Sequence, residues 1–282
     1  MSRLLSVGTK ITTPKNLLVR SGWKGEISRR MRPPLRVAVL ECDTPLDKTR
    51  HKYGGYGGVF EALLKAGADH LGRPEDVSSK KGLEITKWNV VDEDKYPALE
   101  DVDAVLLTGS KHNAFEDHPW ILRLVEYTKT VLGQDRVRII GACFGHQIVG
   151  RALGAKVDRS EVGWEISCCA MDLTEKGKEL FGRDQLQLYQ LHRDIVYEYP
   201  PGVEPLGSSA KCAVQGMYQK GRLITVQGHP EFTKDIMMEL FEVRHDMGIL
   251  DDVIFGDAMS RVGHAHDGVV VSAAFLKFLL DD

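Results

Sequence analysis

Long apolar runs are missing from this 282-residue sequence: none approaches the ~20 residues needed to cross a bilayer, so no membrane-spanning helix is expected. Cysteine is scarce. The five present (Cys42, Cys143, Cys168, Cys169, Cys212) are odd in number and follow no framework spacing, which fits a reducing compartment with free thiols. Adjacent Cys168 and Cys169 lack the C-x-x-C spacing of redox or zinc sites, so packing is their expected role. Phosphate-cradling motifs are lacking as well. The glycine-rich YGGYGG at 53–58 has neither G-x-G-x-x-G spacing nor the Lys-Ser/Thr of a P-loop; it is read as a flexible turn near a substrate entrance that leads into an amphipathic helix through Val59, Leu63 and Leu64. With neither an internal repeat nor a low-complexity linker, one domain is the economical reading.

What is present describes an ordinary globular protein, with 43% hydrophobic and 27% charged residues. The net charge of −3 is unevenly spread. Residues 1–33 hold eight basic residues against the single acid Glu26, which leaves the rest of the chain at −10. An acidic body gives no support for nucleic-acid binding. The basic, acid-poor head resembles a mitochondrial targeting segment. Two plainer readings compete with it: a disordered tail, or an upstream start preceding an initiator at Met31. The expected location is cytoplasmic, or mitochondrial if residues 1–30 are a targeting segment.

From Leu35 onward strands alternate with helices, which predicts an α/β fold with a mostly parallel central sheet covered on both faces. LRVAVLEC, LEITKWNVV, DAVLLTGS and RVRIIGAC read as four strands. The segment opening at Pro119 and closing at Gly133 reads as a helix. After residue 153 the texture changes to shorter strands: AKVDRS, WEISCCAMDL, LQLYQLH, then CAVQGMYQKG and RLITVQGHPEF joined by a hairpin turn. This predicts a smaller antiparallel element. Helices near 232–247 and 268–281 end the chain.

One corner stands out. In RVRIIGACFGHQIVGRALG (136–154) an apolar strand runs into Cys143 and continues as a helix through Ile148, Val149, Ala152 and Leu153. The G-x-C-x-G spacing suits a sharp strand-to-helix turn that holds a nucleophile exposed above the sheet. A helix N-terminus stabilises negative charge, so a thiol placed there ionises more readily. A cysteine nucleophile needs a base, and the base an orienting group. Among ten histidines the best candidate lies in LITVQGHPEF. If Leu223–Gln227 is a strand, period two puts His229 and Glu231 on one side, with Pro230 marking the strand end.

GACFGHQ with a distant GHPEF resembles the class I glutamine amidotransferases, whose triad is Cys-His-Glu. LYQLHRDIV is similar to that family's His-Gly-Asp segment. LTGSKHNAFEDHPWI and the stretch after the elbow look closest to its stand-alone branch, which includes plant γ-glutamyl peptidases and fungal amidotransferase-like proteins. The resemblance runs from about Leu35 to Phe232. It implies a flavodoxin-like amidotransferase fold over residues 34–282, with residues 1–33 as an extension. It makes Cys143 the nucleophile, His229 the base and then acid, and Glu231 its orienter. The amide of Phe144 would supply one oxyanion donor and Gly109 or Ser110 the other, since Thr108-Gly109-Ser110 replaces the usual Gly-Gly-Pro. Gln147 matches a residue that contacts the substrate, or is a helix-surface amide. His192 and Asp194 fall on the glutamyl-binding side, where Arg193 replaces a glycine and either alters substrate contacts or belongs to a structural loop. His146 is read as packed or on the helix surface, and HAHD (264–267) as a solvated loop rather than a metal site.

The implied reaction is attack of Cys143 on a γ-glutamyl amide, with neither metal nor organic cofactor required. If ammonia leaves, the protein is a glutaminase whose ammonia would go to a separate synthetase partner. If an amino acid or peptide leaves, it is a γ-glutamyl peptidase. A regulatory or binding module on a disabled fold is the rival reading, against which all three triad residues speak.

Overall fold

In the computed structural model, which describes residues 31–281, apolar strands and helices alternate as the sequence pattern predicts. The basic head assigned to targeting or tail lies, over residues 1–30, outside the described residues. The first half builds β1 (Leu35–Glu41), α1 (Asp47–Tyr53), α2 (Tyr56–Leu71), β2 (Leu83–Asn89), β3 (Ala104–Leu107), α3 (Pro119–Leu132), β4 (Arg138–Ala142) and α4 (Phe144–Ala152). The second half adds β5 (Val157–Arg159), β6 (Glu165–Leu173), α5 (Glu175–Phe181), β7 (Gln185–His192), β8 (Asp194–Val196) and β9 (Glu204–Ser208). A hairpin of β10 (Gly216–Gln219) and β11 (Leu223–Val226) follows, then α6 (Lys234–Asp246), α7 (Asp252–Arg261) and α8 (Gly268–Asp281). Among the described residues no helix is long and apolar enough to cross a membrane.

One sheet runs β2-β1-β3-β4-β11-β10-β9-β6-β7. Its first five strands are parallel, β11 lying parallel to β4 although it arrives late in the chain. The remaining four alternate antiparallel, and β5 pairs with β8 in a small separate sheet. Burial on both faces explains the near-continuous apolar strands. In β1, Val37 and Val39 join the core beneath α2 and α8, while Ala38 and Leu40 join the core beneath α3 and α4. A third cluster packs α6 and α7 against β6 and β7.

Three helices escape the apolar pattern. The first, α1, buries Thr49 alone, and α7 buries Ala258 while Val253 stays exposed, so neither shows an amphipathic stripe. The third, α5, is a seven-residue helix. Thr174 and Asp251 cap α5 and α7 by accepting the amides of Gly177 and Ile254. The YGGYGG stretch is the expected glycine-rich turn into a helix that buries Val59, Leu63 and Leu64, but it is tighter than a flexible loop: Tyr53 ends α1, Gly54 turns at φ 81° and Gly57 already lies inside α2. The cause is Glu41, whose carboxylate accepts the Gly57 amide at 2.6 Å and anchors the start of α2.

Candidate active site

Cys143 stands where β4 gives way to α4, at φ 50° and ψ −104°. Holding a non-glycine residue in that region costs about 1–3 kcal/mol, so its surroundings must impose it. The Cys143 amide donates to Val226 of β11 at 3.0 Å, and its carbonyl accepts the Gln147 amide to start the helix. Gly145 lets α4 sit tight on β3: a Cβ there would lie 2.3 Å from the Leu107 carbonyl oxygen. Close approach thus requires Gly145, and a Cβ on Gly141 would press on Gly145 at 3.0 Å, as the G-x-C-x-G spacing suggests.

His229 and Glu231 meet, though for a different reason than strand period. The strand β11 stops at Val226, the chain bends at 227–228, His229 makes an isolated antiparallel bridge with Tyr189, and 230–231 turn. The His229 amide donates to the Tyr189 carbonyl at 2.8 Å, which ties this turn to β7. Its Nδ1 lies 2.8 Å from Glu231 Oε1, and the ring stacks on Phe232 at 4.0 Å. Both side chains are buried. Burial alone would lower the imidazole's pKa, but the negative charges of Cys143 and Glu231 outweigh it and push His229 up to about 10. Gly109 closes another side of the ring, since a Cβ there would lie 2.6 Å from His229 Cε1. Glycine at this position is what admits the imidazole.

The Thr108–Ser110 turn is fixed from below. Thr108 Oγ1 accepts the Cys42 amide and donates to the Gly109 carbonyl at 3.0 Å. In a trans peptide the carbonyl and the following N–H point oppositely, so this bond turns the Ser110 amide away from Thr108. Ser110 lines the cavity that contains Cys143. Phe144, first in α4, has one of the amides a helix leaves without an internal partner.

The residues assigned to the glutamyl side also converge. Gln147 is buried, not a surface amide; its Nε2 donates to the Asp194 carbonyl at 2.7 Å and to Gln227 Oε1 at 3.2 Å. His192 Nε2 lies 3.1 Å from Glu165 Oε2, and the Asp194 carboxylate is held by Arg159. Gln147, His192, Arg193 and Asp194 line one cavity of about 150 Å³ together with Cys143, Ser110 and Trp164. His146 is fully buried, its Nδ1 2.8 Å from Thr225 Oγ1, and burial pushes its pKa down to about 3. That selects the packed reading.

Several contributors escaped the sequence. Gln227 donates to Cys143 Sγ at 3.6 Å, although its expected place at the end of a strand signalled only packing. Glu165 and Gln215 are linked at 2.8 Å under His192. Arg244, on α6, lies over the Trp164 ring at 5.6 Å, and Arg193 lies over the same ring at 5.1 Å. HAHD is not simply solvated: His264 is exposed, but His266 packs on Tyr189 at 4.5 Å and Asp267 accepts the Gln187 amide. Among the described residues no cluster of three or more His, Cys, Asp or Glu side chains is placed to hold a metal ion.

Comparison with known proteins gives a consistent result. The model of the family "Glutamine amidotransferase class-I" matches residues 76–242. A glutamine amidotransferase-like protein of Schizosaccharomyces pombe is 32% identical over 257 residues, covering 87% of this chain and 98% of that protein. Gamma-glutamyl peptidase 2 of Arabidopsis thaliana is 28% identical over 80% of this chain and 88% of its own length. A glutamine amidotransferase of Thermotoga maritima superposes with a TM-score of 0.62 at 18% identity, over 88% of this chain and 99% of that one, which shows a shared fold.

Proposed function

Since the chain belongs to the class I glutamine amidotransferase family, we propose that it hydrolyses γ-glutamyl amide bonds with Cys143 as nucleophile. The observation that carries this reading is the Cys143 corner beside a buried imidazole whose Nδ1 is engaged by Glu231 at 2.8 Å. With Nδ1 engaged, Nε2 is the nitrogen left for the reaction.

The Cys143 thiolate adds to the γ-carbonyl carbon, and the carbonyl oxygen becomes an oxyanion. The amides of Phe144 and Ser110 receive it, Ser110 because the Thr108 hydroxyl holds the Gly109 carbonyl the other way. His229, carrying the proton, gives it to the departing nitrogen as the C–N bond breaks and a thioester remains. Water, deprotonated by His229, then hydrolyses the thioester to glutamate. Glu231 keeps the ring oriented and stabilises its charge. Both Nε2 protons of Gln147 are spent within the protein, which leaves its Oε1 to accept from the substrate's ammonium group. The purified protein should release glutamate from glutamine or from γ-glutamyl peptides, followed by mass spectrometry, and Cys143→Ala should release none. Turnover unchanged in that variant would remove the proposal.

A further inference from the structure

The Cys143–His229 pair opens on two cavities rather than one. The first, already described, holds Cys143, Gln147 and Arg193. The second, of about 170 Å³, lies on the His229 side and is walled by Tyr56, Phe232, Leu240, Val243 and Met247. Arg244 lines both, with Ser110, Lys111, Leu191 and Ile249.

Two features of the second cavity call for an occupant. The first is its apolar wall, which ends at the rim in Met247 and Ile249, exposed by 68% and 43%. Departing ammonia has no use for an apolar chamber of this size. The other feature is Arg244. Its side chain makes no ion pair or hydrogen bond among the described residues and rests on the Trp164 face. Burial pulls its pKa down, against the attraction of Tyr56, Cys143 and Asp43 and with the repulsion of Arg193. The neighbouring cation is already engaged: the Lys111 ammonium lies 2.9 Å from Asp43 Oδ1. A mostly buried guanidinium without an anion is costly, and a carboxylate is its natural bidentate partner.

We infer that this second cavity is the leaving-group subsite for an apolar amino acid, whose free carboxylate is bound by Arg244. The inference rests on the proposed γ-glutamyl hydrolysis and narrows its substrate. The side assignment follows from the proton transfer: the nitrogen that His229 protonates must lie on the His229 side of Cys143, so the group attached to it extends into the second cavity. The charge balance agrees. Glutamine carries one carboxylate, whereas a γ-glutamyl amino acid carries two, and Arg193 and Arg244 offer two cations without anionic partners among the described residues.

The test uses the full chain and four substrates: γ-glutamyl-leucine, γ-glutamyl-leucinamide, γ-glutamyl-aspartate and glutamine. Wild type should prefer γ-glutamyl-leucine over the leucinamide by about 10- to 100-fold in kcat/KM, the range expected for one charged hydrogen-bonded contact. It should also prefer leucine over aspartate and over glutamine. In Arg244→Gln the leucine-to-leucinamide ratio should collapse toward one, mainly through KM. Met247→Asp should reduce the leucine-to-aspartate ratio. A wild-type ratio near one for leucine against leucinamide overturns the carboxylate contact whatever the variants do. Equal losses on both substrates in Arg244→Gln overturn it too. Hydrolysis of glutamine with none of γ-glutamyl-leucine sinks the subsite and leaves the proposed reaction standing, the outcome expected if the apolar face instead receives an ammonia-using partner. Failure on every γ-glutamyl amide sinks both.

Discussion

The parallel and antiparallel halves of the sheet share one set of hydrogen bonds but bury different things. Strands β1, β3 and β4 bury apolar residues almost throughout, and their C-terminal ends carry Thr108–Ser110 and Cys143. Strands β6 and β7 bury Glu165, Ser167, Gln190 and His192 among their apolar residues. On the proposed mechanism the parallel half presents the reacting atoms, and the antiparallel half builds a polar wall opposite them. A rigid apolar platform holds a thiol and an oxyanion site at fixed distance, whereas hydrogen-bonding side chains recognise a polar substrate. Changes in the two halves should therefore separate kinetically: kcat for the first, KM for the second.

The largest expected effect is in the first half. Cys143→Ala should lose all measurable turnover and keep its fold by circular dichroism, because the residue is small and sits at a corner. His229→Ala should follow, since acid–base assistance is typically worth ~10²–10⁴-fold. Glu231→Gln should lose less, because glutamine can still bond the ring but cannot stabilise its charge. The two changes should be non-additive, since they disable one unit. Equal losses in the single variants would show the carboxylate to be indispensable; wild-type rates in Glu231→Gln would remove it from the site.

His229 also sharpens the comparison through pH. Its pKa is raised from an ordinary 6.5 to about 10, so the imidazolium should persist above pH 8 in a histidine NMR titration of the wild type. The sign follows: the stabilising contribution of a raised histidine is complete below about 6.5 and is lost as pH rises through about 10. In Cys143→Ala the titration should move down, because the thiolate's charge is one cause of the rise. An unmoved titration would mean that the two side chains do not interact.

In the antiparallel half, Glu165→Gln should raise KM by roughly tenfold, the scale of one charged hydrogen bond, with kcat little changed. The carboxylate receives Gln215 and holds His192 against the cavity, and glutamine cannot accept both in the same way. A collapse of kcat with KM untouched would erase the division between halves. The smallest effect is expected from the head. The proposed division into an extension, residues 1–33, and a domain, 34–282, expects that a chain starting at Met31 keeps its kcat/KM and melting temperature. A large loss in either would show the head to be part of the working structure.

The same contrast explains what the sequence revealed. In β1, β3 and β4 alternate burial on two apolar faces leaves a pattern that residues alone display, and the glycines around Cys143 announce a close approach. Gly109 could be named, but that it makes room for the His229 ring required the fold. The polar wall was not legible, because Glu165, Gln190 and Gln215 look like surface residues until the fold buries them. The His229–Glu231 pair was reached through an assumed strand continuing past Val226, where the chain in fact turns. The Tyr189 carbonyl holds that turn, a contact 40 residues distant in sequence. Arg244 and α7 left no signal either, since one lone arginine and one helix without an apolar stripe resemble ordinary surface.

Whether Cys143 is an activated thiol is decided by exposing the protein to a glutamine-analogue electrophile. Burial pushes the pKa of Cys42 and Cys212 up to about 12, that of Cys168 up to about 11, and that of Cys169 upward as well. These four thiols should be inert near neutral pH. Peptide mapping of the full chain after brief exposure should find one adduct, on Cys143, with its rate of formation sharply reduced in His229→Ala. Label spread evenly over the five cysteines, or a rate on Cys143 indifferent to His229, would contradict the account.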